Sequence, residues 1–152
     1  MTRALALAIL AAALSASAAP AADEGEADRA FLSGDYARAE SLLEIETGQT
    51  DAKPVRRLLL ARTRFLQGKW KPTQEVLEPL LKQDPENPAG RELLGRVLQR
   101  QGQSALALPY YEESLRQSDK PELRIELAEA LVALNRRDEA VAQLKKVLAD
   151  GK

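Results

Sequence analysis

Apolar residues along most of the chain recur three and four positions apart, in runs of eleven to fourteen residues separated by short polar breaks. That spacing is the period of a helix with one buried stripe, and alternation of the kind a strand needs is absent. The pattern predicts first helices over 23–33, 54–67, 88–101 and 121–134, and second helices over 36–47, 70–83, 104–117 and 137–149. The pattern also repeats. Gly34, Gly68, Gly102 and Asn135 stand 34, 34 and 33 residues apart, and Pro20, Pro54, Pro88 and Pro121 keep the same three spacings. Gly and Asn accept the left-handed backbone that closes a helix. Proline costs nothing in a first helical turn, where its missing N–H has no partner anyway. The chain therefore divides into units of a Pro-started helix, a Gly or Asn turn and a second helix: 20–53, 54–87, 88–120 and 121–152.

Counted from each proline, position 7 holds Leu60, Leu94 and Leu127, and position 8 holds Ala61, Gly95 and Ala128. Position 11 holds Arg64, Leu98 and Leu131, and position 20 holds Thr73, Ala107 and Ala140. Position 24 holds Leu77, Tyr111 and Leu144, and position 27 holds Leu80, Ser114 and Val147. Tyr36 and Trp70 stand at position 17, and Pro85 at position 32. In this the sequence resembles the tetratricopeptide repeat (TPR) family over about 130 residues. The resemblance implies an all-α fold, an α-solenoid of three to four stacked helix–turn–helix units. It departs from the family in four ways. Arg57, Arg91 and Arg124 replace the tryptophan of position 4. Pro79 and Pro109 fall inside second helices, where a kink or a shortened helix is expected. Glu46 and Thr47 occupy positions that should be apolar, so the first unit is degenerate. And the asparagines of the family's carboxylate clamp are missing from the inner face, since the chain's only two are Asn87 and Asn135.

One such unit cannot bury its own apolar face, so neighbours must stack. At 100° per residue, positions 4, 7, 8 and 11 turn toward the paired helix, and positions 2, 5, 9, 12 and 13 line the opposite, inner wall. That wall reads Val55, Leu58, Arg62, Phe65 and Leu66, then Ala89, Glu92, Arg96, Gln99 and Arg100, then Glu122, Ile125, Glu129, Val132 and Ala133. Arg62, Phe65, Leu66, Glu92, Arg96, Gln99, Arg100 and Glu129 are the candidate partner-binding residues. They suit a protein or peptide with an apolar anchor and a nearby acid. Against this, Glu92 and Arg96 are four apart in the order that favours pairing with each other. Leu131, Leu134, Val141, Leu144 and Leu148 offer a further apolar surface in the fourth unit, for a homodimer or a partner protein to cover unless Arg136, Arg137, Lys145 and Lys146 screen it.

Composition narrows the classes. The 152 residues include no His and no Cys, which removes thiol chemistry, His-based acid–base catalysis and zinc-finger ligation. With 22 basic and 23 acidic residues the chain lacks the cationic excess of a nucleic-acid binder. Only paired carboxylates such as Glu126 and Glu129 remain for an enzyme, and such pairs are common on solvated helices. A non-catalytic scaffold without cofactor, metal or small-molecule substrate is the expectation. Residues 1–18 read as a signal peptide, with Arg3, the apolar run Leu5–Leu14 and the small residues Ala16–Ala18. Ten apolar residues span roughly 15 Å as a helix, half a bilayer core. Cleavage after Ala18 would deliver the protein to the periplasm or the medium; Ala21 and Ala22 are alternative sites. Retention of the segment would instead leave a membrane-anchored accessory subunit of an envelope assembly.

Overall fold

The computed structural model describes residues 24–48 and 52–150, so the expected signal peptide and Pro20 lie outside the described residues. The described residues form eight helices and no strand. In chain order they are α1 (Glu24–Leu32), α2 (Tyr36–Thr47), α3 (Pro54–Leu66), α4 (Trp70–Gln83), α5 (Pro88–Arg100), α6 (Ser104–Gln117), α7 (Pro121–Ala133) and α8 (Arg137–Asp150). Each helix packs mainly on its neighbours in sequence, as in a solenoid.

The four turns are copies of one device. Gly34, Gly68, Gly102 and Asn135 have φ of 81°, 75°, 77° and 61°. In each turn the next residue's N–H returns to a carbonyl five residues back, as in Lys69 to Arg64 (3.0 Å) and Arg136 to Leu131 (2.8 Å). That bond satisfies carbonyls a helix end would otherwise leave open. α3, α5 and α7 each start on their proline. Asn87 adds a cap, its Oδ1 accepting from the Gly90 N–H at 2.9 Å.

The small residues of position 8 set how closely paired helices approach. A Cβ on Gly95 would lie 2.9 Å from Cε1 of Tyr111, a fully buried ring. Around this contact one apolar cluster runs without interruption from Ala61 through Leu77, Leu94 and Tyr111 to Leu127 and Ala140.

Two expectations change. α4 and α6 run through Pro79 and Pro109 for 14 residues each, with no shortening. Both prolines and the residues four before them, Glu75 and Ala105, are exposed, so the carbonyls deprived of a donor lie on the solvent side of the helix. Leu131 is buried rather than exposed, whereas Val141, Leu144 and Leu148 stand open.

The first hairpin is short of apolar residues, and charge replaces them. Arg56, itself buried, donates from Nε to Glu46 (2.6 Å) and from Nη1 to Asp28 (2.7 Å). Arg64 donates from Nε to Glu40 (3.0 Å) and from Nη2 to Glu44 (2.5 Å), and Lys69 also pairs with Glu40. The seam between α1–α2 and α3 is thus largely ionic, alongside a small cluster of Ala27, Ala30, Ala39, Leu43 and Leu60. Burial alone would raise the Glu40 carboxyl, but hydrogen bonds from Lys69, Gln67 and Arg64 hold it below its ordinary value. The position-4 arginines span each later hairpin in a similar way: Arg57 reaches Gln83 (3.4 Å), Arg91 reaches Glu113 (3.7 Å) and Arg124 reaches Gln143 (2.9 Å).

Candidate protein-binding trough

α3, α5 and α7 each pack closely on the helix that follows, and α3 also touches α5, so the faces expected to line the trough follow one another along the stack. What remains on the inner face is polar in the middle and apolar at both ends. Val55 and Leu66 are exposed in the second unit, and Ile125 and Val132 in the fourth. Leu32 of α1 is the most exposed of all, at 83%. It occupies the position in α1 that Leu66 has in α3.

The eight candidate residues separate into two kinds. Arg62 and Arg100 are exposed and form no ion pair among the described residues. Leu66 is half exposed and Glu129 is exposed. The others are engaged. Phe65 packs on the core and on Trp70, ring centroids 5.2 Å apart. Arg96 pairs with Glu92 at 3.0 Å and reaches Glu126 of α7 at 3.3 Å. Gln99 accepts the Tyr111 phenol proton at 2.7 Å and offers Nε2 to Glu129 at 3.4 Å. So the Glu92–Arg96 pairing foreseen from spacing is present, and it ties the arginine inward.

Three residues outside the candidate set complete this network. Lys120 reaches Glu92 at 3.6 Å. Burial raises the Glu126 carboxyl; Arg96 opposes this and Glu129 adds to it. Burial likewise raises the Tyr111 phenol, with the Glu126 charge adding to it. A usable signal for Glu126 exists in the sequence: Arg96 to Glu126 and Gln99 to Glu129 are both 30 residues apart, the offset between facing positions of successive inner helices. Among the described residues no group of acids has metal-ligand geometry. No described helix is long and apolar enough to cross a membrane.

The helix pairs, their common left-handed turn and their stacking define an α-solenoid with the fold of tetratricopeptide repeats. Residues 98–152 match the family model described as tetratricopeptide repeat. Among solved structures the chain is similar to MamA from Desulfovibrio magneticus RS-1, with 17% identity, a TM-score of 0.75, and 82% of this chain and 71% of that one covered. A MamA crystal structure gives 18% identity, a TM-score of 0.72 and coverage of 81% and 72%. A MamA point mutant gives 26% identity, a TM-score of 0.71 and coverage of 82% and 73%. No curated protein matches the chain by sequence.

Proposed function

We propose that the protein is a non-catalytic scaffold of the cell envelope whose trough holds a peptide or helix from another protein. The observation that carries this reading is the presence on successive first helices of exposed apolar residues, Leu32, Val55 and Leu66, and of two guanidiniums, Arg62 and Arg100, that form no ion pair among the described residues. Apolar side chains left in water and guanidiniums outside ion-pair distance of any described carboxylate are the two features a partner would satisfy. The partner then carries a large apolar residue with an Asp or Glu close by. Arg96 contributes by holding α5 to α7 rather than by gripping the ligand.

Fluorescent peptides bearing a Leu or Phe anchor and an acid three to four residues away test this directly. Binding to the wild type and at least a tenfold loss in the Arg62→Glu, Arg100→Glu double variant are expected, with unchanged helicity by circular dichroism. Equal affinity for both proteins would remove the trough as the binding surface.

The chain is also proposed to be exported, on the strength of Arg3, Leu5–Leu14 and Ala16–Ala18. Sequencing the N-terminus of the protein recovered from the envelope should begin at Ala19; Met1 would instead identify a retained anchor and an accessory subunit held at the membrane.

A further inference from the structure

The side of the stack away from the trough carries a second apolar surface. Leu94 and Leu98 lie on the face of α5 opposite Glu92, Arg96 and Gln99, and they floor a cleft of about 540 Å³ between α4 and α6. One wall is polar, Gln74 and Glu78 of α4; the other is apolar, Leu106 and Tyr110 of α6, with Pro109 between them. Leu106 is 58% exposed. The cleft exists because α4 leans on α5 less extensively than α2 does on α3 or α6 on α7. Glu78 stands midway along it, takes one hydrogen bond from Gln74 at 3.2 Å, and has no ion pair among the described residues.

The apolar and charge counterpart is on the same chain. Val141, Leu144 and Leu148 form one stripe of α8, exposed by 48%, 41% and 72%. The stripe spans about 10 Å, two helical turns, and its middle residue, Leu144, has the cleft's one-turn lining to enter, which runs from Gln74 to Glu78, Leu94 to Leu98 and Leu106 to Tyr110. Lys145 flanks its middle, is exposed, and has no ion pair among the described residues. Within one molecule α7 lies between α8 and the rest of the stack, so the stripe cannot reach its own cleft. We infer that α8 of one copy docks into the α4–α6 cleft of a second copy, Leu144 entering against Leu98 and Tyr110 while Lys145 meets Glu78.

Two different surfaces meet in this contact, so it is heterologous and propagates from copy to copy rather than closing on a two-fold axis. It uses none of the trough residues and stands independently of what the trough binds. A homodimer through α8 against α8 is the competing arrangement, and a basic amphipathic helix of another protein is the competing occupant.

The test is a charge exchange read by sedimentation across a concentration series. The wild type should form a ladder of species beyond the dimer. Glu78→Lys and Lys145→Glu should each weaken association at least tenfold, mixing the two single variants should restore an alternating ladder, and the double variant should recover most of the ladder. Circular dichroism verifies that every variant is folded. A wild type that stays monomeric at high concentration overturns the proposal. So does association that ignores both single substitutions, or that stops at a dimer and responds to Lys145 alone. A Leu106→Asp variant gives a second reading: association at wild-type strength would exclude the cleft.

Discussion

At Gly95 the gap between α5 and α6 is narrower than a methyl group requires. The Tyr111 ring that would be struck is fully buried and anchored by its hydroxyl to Gln99, so it has no room to retreat. Gly95→Ala should therefore cost about 1–3 kcal/mol, in the manner of an overpacked core. Gly102 provides the contrast: nothing lies within 4 Å of its would-be Cβ, but its φ is 77°. Gly102→Ala should cost about 1–2 kcal/mol through backbone strain alone. Urea unfolding of both variants checks this, and an added Tyr111→Phe should soften the first cost and leave the second unchanged. Both roles were legible in the sequence, because position 8 stays small and the turn residue stays Gly or Asn. The destinations of the arginines were not. Arg56, Arg64 and Arg96 have the same look in a sequence as solvated charges, and only the facing helix, 24 to 30 residues away for Glu40, Asp28 and Glu126, distinguishes a tie from a free cation.

Among the elements, the α1–α2 hairpin stands apart because charge does most of the work of attaching it. A buried arginine with two carboxylates gains little over a well-packed apolar contact, but removing one member strands the others. Arg56→Ala leaves Glu46 buried without its counterion and should cost about 3–5 kcal/mol. Arg38→Ala, which breaks an exposed pair with Glu26 in the same hairpin, should cost under about 1 kcal/mol. Denaturant titration of the two variants separates the cases; equal losses would mean the seam's burial carries no weight. The first unit looked poor in sequence because Glu46 and Thr47 stand where apolar residues belong. Glu46 instead receives Arg56, and the Thr47 hydroxyl bonds the Leu43 carbonyl at 2.7 Å. The uninterrupted α4 and α6 teach a related lesson. A proline is tolerated within a helix when the carbonyl it orphans looks outward, and the exposed neighbours of Pro79 and Pro109 carry that information only once the helix face is known.

For the molecule as a whole, stability is a sum over hairpins and the junctions between them, and the junctions here respond to acid in opposite directions. Glu40 has a lowered value in the folded state, so its contribution is complete above the ordinary value of 4.5 and is lost as pH falls below it. Glu126 has a raised value; ionised, it costs stability at neutral pH, and protonation on acidification relieves the α5–α7 contact. Lowering the pH from 7 to below 4 should therefore weaken the α1–α2 junction before it weakens α5 to α7. Hydrogen exchange by mass spectrometry, corrected for intrinsic rates, reads this helix by helix; uniform loss of protection would show that neither junction is set by these carboxylates. Repeating the experiment at high salt should weaken the exposed pairs of the first seam more than the apolar core around Tyr111.

The slender junction between α4 and α5 has one more effect. Arg62 stands on one side of it and Arg100 on the other, so any bending of the solenoid at this joint changes the span between the two guanidiniums as the jaws of a calliper change theirs. The length of a peptide in the proposed trough would then be gauged by a hinge on the back of the molecule, well away from the surface proposed to hold it.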